Sequence, residues 1–187
     1  PDNNGAAYVF TRSGTTWSQQ AKLVASDAGG SDYMTGGYKG LEINGDGTLI
    51  VAGAYKHNNG SARYGAVYVF KYNGSSWSQV AKITPPANVA GQGFGHQVAI
   101  SGNTIAVGYS YAYLTQAHVY DTDDESTWTL RKTFTASDFA SGWRLGNGIA
   151  IDANNGSIIA GAPGAGTSST GAAYVFTRDS NNEWSQQ

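Results

Sequence analysis

Few side chains in this sequence are able to do covalent chemistry. His57, His96 and His118 are the only imidazoles, and there is no cysteine. None of the three histidines stands in a G-x-S-x-G or comparable setting that would place a base beside a nucleophile, so each is expected to be a surface or packing residue. A glycosidase needs two carboxylates flanking one bond. The acids here sit in turns and at strand ends of different repeats, with no duplicated pair. Gly161 to Gly166 reads GAPGAG, but no lysine follows and no helical pattern opens behind it, which points to a loop and away from a phosphate cradle. No catalytic residue is assigned, and the chain is expected not to be an enzyme.

Other polar groups have two readings each. Asp121, Asp123, Asp124 and Glu125 crowd one turn that either collects a cation or is simply solvated. Asn59, Asn73 and Asn155 each begin an Asn-Gly-Ser triplet, which is an N-glycosylation acceptor pattern and also a favoured hairpin turn. The formal net charge is −2, with no run of Lys or Arg, so nucleic acid and anionic membrane surfaces are not expected partners. The longest apolar stretches, at Thr48 to Ala54 and Ser157 to Ala162, fall far short of the roughly 20 residues that cross a bilayer. Membrane insertion is not expected.

The elements that carry these residues are short strands. Glycine supplies 26 of 187 residues, about twice its usual share of roughly 7%, so turns must be frequent. A sequence of this length fits one domain. The hexapeptide GAAYVF at Gly5 to Phe10 returns as GAVYVF at Gly65 to Phe70, as QAHVY at Gln116 to Tyr120 and as GAAYVF at Gly171 to Phe176. Each copy leads through a turn to a tryptophan-led strand at Trp17, Trp77, Trp128 or Trp184. Between these hairpins come two more strand signals, first at Leu41, Gln97 and Gly148, then at Thr48, Thr104 and Ser157. Four strands per period of 50 to 60 residues predict an all-β protein of β-propeller blades, each with four antiparallel strands. One segment is expected over 1–187, with blade-like repeats near 5–64, 65–115 and 116–170 and a partial one at 171–187, about three and a half blades in all. Tyr8, Phe10, Tyr68, Phe70, Tyr174 and Phe176, with the four tryptophans, are expected to pack between blades.

GQGFGHQVAI followed by TIAVGY, and WRLGNGIAI followed by SIIAGAP, resemble the FG-GAP repeat. That repeat builds the propeller head of integrin α-subunits and occurs in many secreted bacterial and algal proteins. The Phe-Gly step matches at Phe94 and Gly95 and conservatively at Leu145 and Gly146, and is blurred at Gly37 and Tyr38. The Gly-Ala step matches at Gly53 and Ala54 and at Gly161 and Ala162, while Gly108 and Tyr109 depart from it.

The resemblance implies a Ca²⁺ loop of alternating oxygen ligands just before the last motif strand. Glu42, Asn44 and Asp46 alternate before Gly47 as hard oxygen ligation requires, although Ile50 stands where the family loop ends in Asp. The other reading is a tight Asn-Gly-Asp-Gly turn, and no cofactor is required by either. The resemblance also implies a non-catalytic binding or adhesion module, extracellular or at a cell surface, whose partner is a protein, a glycan or further copies of itself. A structural subunit of a surface filament and an accessory domain of a larger secreted enzyme are the alternatives. The repeats running off both ends lead us to expect a piece of a longer array, or one subunit of a ring or fibre.

Overall fold

The computed structural model describes residues 4–58, 63–86, 93–109, 116–138, 142–154 and 156–187. Its strands are β1 (Ala7–Ser13), β2 (Thr16–Leu23), β3 (Leu41–Ile43), β4 (Leu49–Ala54), β5 (Ala66–Tyr72), β6 (Trp77–Ile83), β7 (Gln97–Ser101), β8 (Thr104–Gly108), β9 (Gln116–Asp121), β10 (Thr129–Thr135), β11 (Gly148–Asp152), β12 (Ser157–Ala162), β13 (Ala172–Arg178) and β14 (Trp184–Gln186). Three antiparallel sheets run β3-β4-β5-β6, β7-β8-β9-β10 and β11-β12-β13-β14, and β1-β2 forms a two-stranded hairpin before them. These are propeller blades, as the repeat predicts. A period counted from GAAYVF starts at a blade's third strand, so it straddles two sheets. Repetition in a sequence marks the period but not the phase. Residues 172–186 complete the third sheet, and the two-stranded unit is the one at β1-β2.

The alternation along the GAAYVF strand explains how the blades stack, because successive side chains point to opposite faces of a sheet. On β5, Tyr68 and Phe70 face back to the β1-β2 hairpin, sharing a core with Ala7, Leu23 and Ile50. Val67 and Val69 face forward and share a core with Val98, Ile100 and Ile105. On β13, Tyr174 and Phe176 again face back, onto Ala106, Ala117 and Val119. Three successive apolar layers therefore lie between consecutive sheets. Tyr8, Phe10 and Trp17 break the expectation of burial, being 51%, 53% and 63% exposed. They lie on the face of β1-β2 away from the next sheet, where no described sheet covers them. Trp184 is buried as expected, and Trp77 and Trp128 are half-buried.

The Phe-Gly and Gly-Ala steps meet across blades. A Cβ at Gly53 would overlap the Gly95 carbonyl oxygen, and one at Gly108 would overlap that of Gly146. Within its own blade the Phe-Gly glycine donates to the Gly-Ala glycine: Gly95 N–H to Gly108 O at 3.2 Å and Gly146 N–H to Gly161 O at 3.0 Å. In the first full blade the donor to Gly53 O is Thr35 N–H, at 2.8 Å. Met34 and Thr35, not Gly37 and Tyr38, therefore hold the Phe-Gly corner there. Met34 is 2% exposed, as Phe94 and Leu145 are at 0% and 1%. Thr35 takes φ +66°, a left-handed conformation that Gly95 and Gly146 adopt at +83° and +87°. The corner at Gly108 and Tyr109 closes by exchange: buried Tyr109 fills the place of Ala54, and His118 on β9 fills that of Tyr68, bonded to Tyr109 Oη at 2.9 Å.

Candidate functional site

Glu42, Asn44 and Asp46 do not converge on a cation. The Glu42 carboxylate accepts from Lys39 Nζ at 2.9 Å and, across the blade boundary, from Ile100 N–H at 3.0 Å. Asn44 Oδ1 accepts from the amides of Thr48 (3.0 Å) and Leu49 (2.9 Å), and Asp46 Oδ1 accepts from Thr48 N–H (2.9 Å) and Oγ1–H (2.6 Å). These bonds from Thr48 hold the Asp46 carboxyl below its ordinary range. The donor set does not fit a Ca²⁺ cage, because the Asn44 and Asp46 oxygens are turned back onto the loop's own amides in a doubly capped turn and the Glu42 carboxylate is taken by Lys39 and Ile100. Among the described residues no group of three or more His, Cys, Asp or Glu side chains is placed to hold a metal.

The acidic turn is likewise dispersed. Asp124 accepts from the amides of Ser126 (2.8 Å) and Thr127 (2.7 Å), bonds that push its carboxyl well below the usual carboxylate range. Glu125 pairs with Lys71 of the neighbouring blade, and Asp121 faces Arg131 and Arg178. In the GAPGAG loop, Gly164 and Ala165 donate their N–H groups to Trp143 O and Ala162 O, which leaves these amides committed within the fold. Asn73 is exposed, and its Oδ1 caps the β5-β6 turn through the amides of Ser75 and Ser76. Asn59 and Asn155 lie outside the described residues.

The histidines are more involved than the sequence suggests. His57, 4% exposed, donates from Nδ1 to Asp32 Oδ2 at 2.9 Å and accepts at Nε2 from Lys82 Nζ at 2.8 Å. A carboxylate only accepts and an ammonium only donates, so these neighbours fix the neutral tautomer with its proton on Nδ1. Lys82 also meets Asp27 Oδ2 at 2.6 Å, and Tyr68 O–H donates to Asp27 Oδ1 at 2.8 Å. Partial burial, the largest influence on Asp27, would raise its pKa, but bonds from Lys82 and Tyr68 together with nearby positive charge leave it below normal. The network ties the loop after β2 to β5 and β6. A sequence signal existed: the triplet Ala25-Ser26-Asp27 returns as Ala136-Ser137-Asp138, where Tyr174 O–H donates to Asp138 Oδ1 at 2.8 Å.

One rim gathers aromatic and cationic side chains. The loop before β3, the loop after β4 and the loop before β7 all lie at the same end of the blades, since strands 1 and 2 of a blade are antiparallel. They bring together Tyr33, Tyr38, Tyr55, Lys56 and His96. Tyr38 and Tyr55 stand edge-on to His96, with ring centroids 4.8 and 5.0 Å away, and Lys56 Nζ lies 4.1 Å from the Tyr33 centroid. Tyr38 is 83% exposed. Burial pushes the His96 pKa down, and its Nδ1 has no hydrogen-bond partner among the described residues.

The family model of the FG-GAP repeat matches three times, at residues 17–70, 77–120 and 128–176. The chain belongs to the FG-GAP repeat family. The three matches begin at Trp17, Trp77 and Trp128, so each FG-GAP unit runs from the outer strand of one blade to the third strand of the next. A crystal structure of a protein from Lactobacillus plantarum is similar over 96% of this chain, with a TM-score of 0.59 and 13% sequence identity. At that identity the likeness bears on the fold alone. The FG-GAP chain spans 47% of the length of that protein. No curated protein matches the sequence.

Proposed function

We propose that this FG-GAP segment is a non-catalytic binding module, extracellular or at a cell surface, that engages a protein or glycan through the rim carrying Tyr33, Tyr38, Tyr55, Lys56 and His96. The exposure of Tyr38 carries the reading. A large ring left in water and held edge-on by His96 offers its face to a partner, and loops on a rigid sheet scaffold are where binding residues concentrate. The low charge content and the absence of a basic run favour a neutral or mixed partner over nucleic acid. Among the described residues, no helix is long and apolar enough to cross a membrane. The imidazoles of His57 and His118 are enclosed in hydrogen bonds with Asp32, Lys82, Tyr109 and Thr133, which disfavours a role for them as general bases.

The test is a comparison of the wild-type chain with the Tyr38→Ala/Tyr55→Ala variant on a glycan array and on a panel of immobilised secreted proteins. A ligand held by the wild type and weakened at least about 10-fold in the variant supports the rim. A ligand held equally by both removes the function from this rim. Concentration-dependent assembly by light scattering, with no ligand for either chain, favours the structural-subunit reading.

A further inference from the structure

A hydrogen bond made by a tryptophan at the first blade boundary is missing at the second and third, where Trp128 Nε1 and Trp184 Nε1 are both buried without a partner among the described residues. The second boundary alone adds a second unmet group, a hydroxyl, together with a cleft. The outer hairpins β1-β2, β5-β6 and β9-β10 each carry a β-bulge at the same step, which leaves Gln20, Val80 and Arg131 without a cross-strand partner. At the first boundary the bulged residue serves the next tryptophan: Trp77 Nε1–H donates to Gln20 Oε1 at 2.9 Å. At the second boundary the bulged residue is Val80, which has no acceptor. Trp128 Nε1 is buried there with no hydrogen-bond partner among the described residues. Tyr120, 4% exposed, leaves its hydroxyl buried and unpartnered as well. A buried donor without an acceptor costs about 1–3 kcal/mol, so two in one place are a standing reason to take up a group that accepts.

Val80, Tyr120 and Trp128 all line a cleft of about 600 Å³, walled further by Ile83, Pro85, Pro86 and Leu130. We propose that this cleft binds an extended peptide segment rich in proline or aliphatic side chains, whose main-chain carbonyls accept from Trp128 Nε1–H and Tyr120 O–H. Three features select a peptide. The unmet groups are an indole N–H, which only donates, and a phenol O–H, and main-chain carbonyls answer both, whereas the several hydroxyl protons of a sugar call for carboxylate or amide side chains, of which the described lining has none. Val80, Ala81, Ile83, Pro85, Pro86 and Leu130 line the cleft beside its two aromatic rings, with Lys82, Thr84 and Ser126 between them, a mixed wall that takes apolar side chains and an extended, proline-rich main chain together. The cation in the lining is spent, since Lys82 Nζ is held by Asp27 and His57. Burial keeps the Tyr120 phenol protonated by pushing its pKa up. Neither donor touches solvent in the free chain, so engagement requires the half-buried Trp128 ring to lift.

The cleft is distinct from the aromatic rim and is tested independently of it. A blocked decapeptide of proline and leucine is titrated into the ¹⁵N-labelled chain while the tryptophan indole resonances are followed, with Trp128 assigned by its loss in Trp128→Phe. The Trp128 resonance is expected to shift. Tyr120→Phe should weaken the peptide about 3- to 10-fold while leaving the Tm of the free chain unchanged or higher, as loss of an unpaired hydroxyl implies. Val80→Gln supplies the acceptor that Gln20 supplies to Trp77, and should move the Trp128 resonance in the free chain and abolish the response to peptide. Tyr38→Ala/Tyr55→Ala should leave the response intact. The proposal is overturned by an unmoved Trp128 resonance at millimolar peptide, by undiminished binding to Tyr120→Phe, by loss of the response in the rim variant, or by an oligosaccharide that shifts Trp128 where the peptide does not.

Discussion

The carbonyl oxygen of Gly95 occupies the space that a side chain at Gly53 would need, so the Gly-Ala step of one blade and the Phe-Gly step of the next are two halves of one contact. The obstacle is backbone, held by the bond from Gly95 N–H to Gly108 O, and cannot turn aside like a rotamer. Gly53→Ala should therefore cost about 3 kcal/mol or more, at the upper end of overpacking effects. Gly45 is the control, because nothing lies within 4 Å of a Cβ built there. Denaturant midpoints should fall steeply for Gly53→Ala and hardly move for Gly45→Ala. Equal shifts would show that the blades slide to absorb the methyl.

Thr35 carries the opposite expectation. It sits at φ +66° where the other two blades have glycine, and a β-branched residue is strained in that region by about 1–2 kcal/mol. Thr35→Gly removes that strain but adds unfolded-state freedom worth about 0.5–1 kcal/mol, so a net gain of up to about 1 kcal/mol is expected. Among the described residues the only side-chain bond lost is the long one from Thr35 Oγ1 to Ala6 O, at 3.5 Å. A lower Tm for Thr35→Gly would mean that this hydroxyl, not the backbone, governs the corner.

Asn44 should prove to be a turn former. Its Oδ1 is the side-chain acceptor for the buried amide of Leu49, so Asn44→Ala should destabilise by about 1–3 kcal/mol. Addition of Ca²⁺ or EDTA should leave the Tm of the wild type within a degree or so, since a ligand stabilises only where its affinity for the folded state is appreciable at the concentration present. A rise of several degrees with Ca²⁺, lost in Asn44→Ala and Asp46→Ala, would restore the loop as a metal site.

These outcomes trace how far the sequence could be read. The blades were legible because GAAYVF records both faces of a strand at once, small residues and valine toward the next sheet, Tyr68 and Phe70 toward the preceding one. The Phe-Gly corner was legible at Phe94 and Gly95 and missed at Met34 and Thr35, where neither residue type survives and only the backbone conformation and the bond to Gly53 persist. Glu42, Asn44 and Asp46 show why spacing alone misleads: alternation places three side chains near each other but cannot say whether their oxygens look outward to an ion or are taken by the amides of Thr48, Leu49 and Ile100. His57 reads as no more than a surface or packing residue because its partners Asp32 and Lys82 are remote in sequence. Trp128 and Val80 were invisible as a pair, since their relation depends on a bulge that shifts the register by one residue. Contacts local to a strand can be read from its pattern; contacts between strands need the register.

The last prediction concerns acid. His118 is 2% exposed and burial pushes its pKa down from 6.5 to about 4, while Tyr109 Oη and Thr133 Oγ1 hold its two nitrogens at 2.9 Å each. A base whose folded pKa is lowered binds fewer protons folded than unfolded between those two values, so stability rises with pH across that window. The contribution is fully present above about pH 6.5, declines as pH falls through the window, and levels off below about pH 4. A difference of this size corresponds to about 3 kcal/mol between the plateaus. His96, also lowered by burial, adds a smaller loss of the same sign. Asp27 acts in a different place: its pKa lies below 3.8, so its contribution is lost only under more acid conditions. Urea midpoints measured from pH 7 to pH 4 should therefore fall steadily for the wild type and fall much less for His118→Gln, which keeps polar partners for Tyr109 and Thr133 without a titrating ring. A wild type that is flat to pH 4.5 and then collapses would assign acid sensitivity to the carboxylates, and would mean that water reaches His118 from the loop side of β9.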